Sequence, residues 1–161
     1  MVLVGRVRIA ALTAMVAALA GLTGWLGLRD HQDRADQRLR QEMVQAARQG
    51  AVNLTTIDYR RAEQDVQRIL DSSTGAFRDD FAARAGSFID AAQKTQSTSV
   101  GTVTEAGLES VSGDEGRVLV TLTVMTSNRG VPEQQPQAWR MRVTVANTGE
   151  GLKVAEVEFV P

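Results

Sequence analysis

The chain has 161 residues, a formal net charge of −1, no cysteine and only 4% aromatic residues. The near-neutral balance excludes the broad basic field of a nucleic-acid binder, and so few aromatics exclude a base-stacking platform. The lack of cysteine removes disulfides, thiolate nucleophiles and thiolate metal sites together.

Residues 1–8 form a short N-terminal segment carrying Arg6 and Arg8, and residues 9–28 continue without a single charge. At about 1.5 Å per residue, roughly 20 helical residues cross a hydrocarbon core about 30 Å thick. A lone segment crosses lipid only as a helix, because lipid offers no partner to unpaired backbone groups. Trp25 suits an interfacial anchor at the far end of this span. Ala18-Leu19-Ala20 before Gly21 also fits a cleavable signal peptide. The apolar run continues past it through Leu22, Trp25, Leu26 and Leu28, which favours an uncleaved transmembrane anchor. Arg29, Arg34, Arg38 and Arg40 beyond the span do not favour a cytoplasmic N-terminus. An anchor and a signal peptide would both export the C-terminal part of the chain. The expected location is therefore the cell membrane, single-pass, with the C-terminal domain on the extracytoplasmic side.

Residues 29–53 are charged, free of proline and helical in rhythm, with Leu39, Met43, Ala46 or Ala47, and Gly50 at three- and four-residue steps. This predicts a membrane-proximal helix whose narrow apolar stripe packs on its own domain or, less commonly, on a partner helix. The domain itself is expected over 54–161. Leu54–Asp58 interrupts the helical rhythm, and Thr55 or Asp58 suits a cap for a second helix. Ala62, Val66, Ile69 and Leu70 mark that helix, closed by Ser72-Ser73-Thr74-Gly75. A third helix carries Phe77, Phe81, Ala85, Phe88, Ile89 and Ala92 on one face, which predicts that it seals the core.

Past Thr95 the period changes to alternation and β-branched residues multiply. Four strands are readable, at about 99–111, 117–127, 138–147 and 152–160. Val118, Val120, Leu122 and Val124 share a face of the second. Trp139, Met141, Val143 and Val145 share a face of the third, and Ala155, Val157 and Phe159 oppose Glu156 and Glu158 in the fourth. The turns are Gly113–Gly116, a longer 128–137 loop with Pro132 and Pro136, and Thr148–Gly151. Helices first and strands afterwards predict an α+β fold with an antiparallel meander, its helices packed on one face of a curved four-stranded sheet.

Chemistry is sparsely supplied. His31 is the single histidine and sits beside the expected membrane exit, so neither a two-histidine metal site nor a serine–histidine–acid triad is at hand. The glycines lack phosphate-loop and dinucleotide spacing. Asp79 and Asp80 point about 100° apart on a helix and suit its first turn. Asp58, Tyr59 and Asp65 are the groups placed to line a cavity with acid–base character, although Asp58 is as good a cap and Asp65 as good a surface acid. Asn53-Leu54-Thr55 matches a glycosylation pattern by chance as easily as by purpose. No catalytic, cofactor-binding or metal-binding residue is assigned, no cofactor is expected, and the reading is not an enzyme.

Several segments together carry a resemblance. They are 51–59 (AVNLTTIDY), 65–70 (DVQRIL), 73–81 (STGAFRDDF), Ser99–Val103 with Ala106-Gly107, Val118–Val124, and Val157–Pro161. In these the chain resembles the actinobacterial Mce-associated membrane proteins, accessories of the mammalian-cell-entry lipid importers. Leu152 departs from the pattern, standing where such proteins often have tryptophan. The resemblance implies a cone-like, nuclear-transport-factor-2-like domain, also seen in inner-membrane scaffold proteins of secretion systems, and carries no catalytic residues with it. The partners it implies are the lipid bilayer and the protein subunits of a lipid importer, with lipid contact in reserve and no nucleic acid. The alternative is a small-molecule or lipid carrier, or an enzyme, using a cavity inside the cone. An open apolar cavity would support that alternative, and one filled by Phe77, Phe81, Phe88 and Trp139 would oppose it.

Overall fold

The computed structural model describes residues 34–131 and 135–160. The anchor expected over 9–28, and with it Trp25 and His31, lies outside the described residues. Among the described residues no helix is long and apolar enough to cross a membrane. Contacts divide the chain into Met1–Leu39 and Arg40–Pro161. Of the first unit, residues 34–39 are helical, exposed except for half-buried Leu39.

Helix α1 occupies 34–55. After it come strand β1 (Ile57–Asp58), a 3-10 turn (Tyr59–Arg61), α2 (Ala62–Asp71), α3 (Gly75–Thr95), β2 (Thr98–Ser112), β3 (Glu115–Ser127), β4 (Gln137–Thr148) and β5 (Gly151–Phe159). The sheet runs β1-β2-β3-β4-β5 with every neighbouring pair antiparallel. The α+β class and the meander are as expected, but the sheet has five strands where the sequence shows four. The extra one is the Ile57–Asp58 pair on Ser99 and Thr98. Two residues are too few to produce an alternating pattern, so this strand leaves no periodic trace in the sequence.

The core forms where α1 lies across the sheet. Val118, Val120, Leu122 and Val124 of β3 and Met141, Val143 and Val145 of β4 are buried against Ala47 and Ala51 of α1, joined by Val154 of β5. The α1 stripe therefore packs on its own domain. Its approach is close because each contact pairs a glycine with a side chain. A Cβ added to Gly50 would lie 2.5 Å from Cγ2 of Val154, and one on Gly116 2.5 Å from Sδ of Met43. At the other end of α1, a Cβ on Gly101 of β2 would lie 2.7 Å from the Cβ of Thr55 and meet its Oγ1 still more closely.

Three irregularities bend the sheet around this helix. β2 shifts register against β3 between Val103 and Glu105 and again between Leu108 and Ser110. β5 shifts against β4 between Thr144 and Val145, so Val143 pairs Val157 while Val145 pairs Val154. Bulges of this kind increase local twist and bend the strand that carries them. The third one also changes which β5 side chains face inward. Val154 takes the buried position that alternation from Val157 assigns to Ala155, so the expected Ala155–Val157–Phe159 face is corrected to Val154 with Val157. The β2–β3 hairpin closes through Gly113-Asp114, with φ +58° at Gly113, the glycine-first geometry that matches the twist of flanking strands.

The α2–α3 linker is sewn to the edge of the sheet. Thr74 N–H donates to the Val154 carbonyl at 2.8 Å, Val154 N–H donates to the Ser72 carbonyl at 2.9 Å, and Ser73 bridges Val154 in parallel. Ser73 is buried and its hydroxyl donates to the Ile69 carbonyl at 2.6 Å, closing the end of α2. The serine–threonine run thus covers part of the β5 edge, where unpaired backbone would otherwise invite another strand.

Helix α3 does not seal the core as its phenylalanine spacing predicts. Of its apolar stripe only Ala92 is buried; Phe77, Phe81, Ala85 and Ile89 are half-buried or more open and Phe88 is 38% exposed. The reason is steric. α1 presents Ala47, Gly50 and Ala51 to the sheet and occupies its centre, leaving α3 a peripheral position.

Candidate functional site

The carboxylates singled out in the sequence are brought together, but as structural ties. Asp65 is buried on α2, and its Oδ2 accepts the backbone N–H of Asp58 at 2.8 Å. Its Oδ1 accepts from Arg68 Nη1 at 2.8 Å, and Arg68 Nη2 also donates to the Thr56 carbonyl at 3.2 Å. Both carboxylate oxygens are thereby committed to holding β1 against α2. Asp58 caps the 3-10 turn, accepting the Arg60 N–H at 3.0 Å, and forms a two-point pair with the Arg60 guanidinium at 3.0 and 2.7 Å. Tyr59 lies beneath Arg60, whose guanidinium carbon is 5.7 Å from the ring centre.

Asp58, Arg61, Asp65 and Arg68 line a cleft of about 330 Å³ beside α1. Acid–base chemistry there would need a carboxylate free to exchange a proton. Asp58 is held ionised by its Arg60 donors, and each Asp65 oxygen already accepts a hydrogen bond. Asp79 and Asp80 are exposed on the first turns of α3 and do not line this cleft. Among the described residues no three or more His, Cys, Asp or Glu side chains gather into a cation site. The glycosylation pattern at Asn53 is a packing feature. Asn53 is buried, accepts from Gln49 Nε2 at 2.9 Å and donates to Ser72 Oγ at 3.3 Å, and Thr55 is buried with its hydroxyl on the Ala51 carbonyl.

The Asp58 pair has a pH signature. The side-chain hydrogen bonds from Arg60, then the Arg60 backbone N–H, lower its pKa from an ordinary 3.8 to about 2. A carboxylate whose folded pKa is depressed contributes stability that is complete above its unfolded pKa and is lost as pH falls through the folded one. The stability gap between the parent and Asp58→Asn is therefore expected to be constant above about pH 4 and to close between about pH 4 and 2. Urea midpoints across that range check it, and a gap independent of pH down to about 2 would show that the pair does not form.

A second cavity, of about 340 Å³, lies between the C-terminal half of α3 and the end of the sheet where β2 begins, β3 ends and β4 begins. Leu54, Ile57, Phe88, Ala92, Val124 and Trp139 form its apolar wall. Its remaining polar lining comes from Thr55, Thr95, Ser97, Ser99 and Thr126. Phe88 and Trp139 line this space and do not fill it, while Phe77 packs against the core cluster and Phe81 lies between Phe77 and Phe88. This pocket is not legible in the sequence, although Ser99 and Thr126, small residues facing each other across β2 and β3, are the signal that was there to find.

Over residues 4–161 the chain matches the family described as "Uncharacterized protein Rv1363c/MT1408-like". It belongs to that family. A relative from Mycobacterium tuberculosis, "Uncharacterized protein Rv1363c", is 37% identical over 164 residues, covering 97% of this chain and 63% of the relative. The chain thus spans less than two thirds of that relative's length. Among solved structures it is similar to an IcmL-like type IV secretion system protein from Legionella pneumophila, with TM-score 0.62 at 16% identity over 76% of this chain and 92% of that one. The periplasmic domain of DotI gives 0.57 at 14% identity over 73% and 92%. An Ntf2-like protein involved in plasmid conjugation gives 0.50 at 14% identity over 76% and 49%. At such low identity these likenesses establish the fold, and it is the nuclear-transport-factor-2-like one.

Proposed function

We propose that the chain is a non-enzymatic, single-pass accessory protein whose α+β domain, held on the extracytoplasmic side by the 9–28 segment, scaffolds or stabilises an Mce-type lipid import complex. The observation that supports this reading is the fold shared with an IcmL-like type IV secretion system protein and with the periplasmic domain of DotI. The chemistry of the polar cleft supports it, since Asp58 and Asp65 are occupied in tying β1 to α2. The Mce assignment itself rests on the resemblance of the 51–59, 65–70 and 73–81 segments. The bilayer and importer subunits are the proposed partners.

Deletion of the protein is expected to lower the abundance of an importer complex and, in consequence, lipid uptake. A version lacking residues 1–28 should rescue poorly, because tethering raises the effective concentration of the domain beside membrane partners. Tyr59→Phe should rescue fully. Co-purification and uptake measured in one deletion background separate the outcomes. Normal complex and uptake without the protein would overturn the scaffold reading. Loss of uptake with an intact complex in Tyr59→Phe would point instead to a chemical role for the Tyr59 hydroxyl, which lies outside the cleft lining.

A further inference from the structure

The end of the sheet beneath α3 is built differently from its middle. Midway, inward positions carry Val118, Val120, Met141 and Val143, all buried. At the end they carry Ser99 paired with Thr126. Across from them α3 offers Ala91, Ala92 and Thr95. Small residues thus face small residues over a stretch where the helix is fixed by its own closure. Gln96 adopts the left-handed conformation at φ 52°, and Ser97 N–H donates to the Ala92 carbonyl at 3.0 Å. Tyr59 N–H donates to Ser97 O at 3.1 Å, and Arg129 N–H donates to Thr95 O at 3.0 Å. These backbone bonds tie the end of α3 to the chain on either side of the space.

Its size and lining select an occupant. An apolar cavity of about 150 Å³ holds one benzene, and small-ligand pockets run from about 300 to 1,000 Å³. The volume here, about 340 Å³, is more than a single aromatic side chain from a partner would fill. No charged side chain lines it, whereas the neighbouring cleft carries Asp58, Arg61, Asp65 and Arg68. A charged group placed against its buried wall of Thr55, Ile57, Ala92 and Val124 would lose its hydration without a counter-charge. Three of the hydroxyls are already used, Thr55 on the Ala51 carbonyl at 2.7 Å, Thr95 on the Ala91 carbonyl at 2.8 Å and Ser97 paired with the Thr95 hydroxyl at 2.6 Å, so those side chains need nothing further from an occupant. The aromatic side of the site extends outward, through Phe88 to Phe81 at 6.1 Å and through Trp139 to Phe159 at 5.5 Å, with Phe159 66% exposed.

We propose that this cavity binds an uncharged molecule with a flexible apolar body, an alkyl chain of medium length, in contact with Trp139 and Phe88. The inference stands on the cavity alone and does not depend on the scaffold reading. A flexible chain fills an irregular space that a rigid ring would leave half empty, and it asks no polar partner of the wall.

The test uses the full chain in lipid nanodiscs, with Trp25→Phe in every sample so that Trp139 is the sole tryptophan. 12-Bromododecan-1-ol is titrated in, because bromine quenches indole emission on contact. Saturable quenching is expected, about tenfold weaker in Ala91→Phe, where an exposed helix position places a ring into the cavity, and weaker again for 12-bromododecanoate than for the alcohol. Thr126→Ile fills the same space from the sheet side and should weaken quenching likewise, which keeps the test decisive where Ala91→Phe folds poorly. Absent or unsaturable quenching, or parental affinity in both filled variants, would overturn the proposal. Equal affinity for the carboxylate would overturn the assignment to an uncharged ligand.

Discussion

Leu122→Ala is expected to lower the unfolding free energy by about 2.7–5 kcal/mol, the range found when a buried leucine is truncated in a core that relaxes only partly. Leu122 is 1% exposed on the inward face of β3, paired with Val103 on one side and Trp139 on the other. Backbone ladders on both sides fix its Cα, so the vacated volume has little means of closing. A typical domain has only about 5–15 kcal/mol in total, so this single change removes a large share. Met125 lies further along the same strand and is 50% exposed. Met125→Ala should stay within about 0.5 kcal/mol. Urea midpoints with unchanged slopes measure both. Equal midpoints would mean that α1 does not pack on this face of the sheet.

The long strands are legible because half-buried strands alternate, and β3 does so without interruption from Val118 to Val124. Their ends differ from the sequence pattern by one or two residues only, as for β4, legible at about 138–147 and found at Gln137–Thr148. The β5 face departs from strict alternation because a bulge shifts parity, and no composition signal marks Ala155 as the extra residue. β1 is hidden by its length. Asp58 is a cap as its residue type suggests, but of the 3-10 turn and not of α2, whose N-cap is Arg61 with no side-chain hydrogen bond, because the turn intervenes between them.

Relative placement of the helices is the harder question. α1 and α3 both carry apolar stripes, and α3's is the bulkier, with Phe77, Phe81 and Phe88. Bulk suggests the core, yet proximity decides. Helices that offer alanine and glycine come closer to a sheet, and Gly116 and Gly101 on the strands complete that fit. Nothing within α3 reveals that another helix has the better match. The cavity has the same origin. It arises from Ser99 and Thr126 meeting Ala91, Ala92 and Thr95, residues drawn from three separate elements that no local pattern connects.

Asp65→Ala is expected to cost about 2–3 kcal/mol. Asp65 is 3% exposed, and removing its carboxylate leaves the Asp58 N–H without its 2.8 Å acceptor and Arg68 without its ion partner. A hydrogen bond to a charged group contributes about 1.5–3 kcal/mol, and stripping one partner from a buried pair costs about 3–5. The lower range applies because the Arg68 side chain is 44% exposed and regains water when its partner goes. Asp65→Asn should fall between the parent and the alanine variant. Its amide oxygen still accepts the Asp58 N–H, while the charge that held Arg68 is gone. An asparagine midpoint closer to the parent than to the alanine variant would identify the backbone tie to β1 as the larger part of the effect. Alanine and asparagine variants of equal stability would assign it to the arginine pair instead. An alanine variant within about 0.5 kcal/mol of the parent would show that β1 is held to α2 by something other than Asp65. The ranking bears on function as well, because a carboxylate that stabilises the fold through both oxygens is poorly placed to carry a proton in transit.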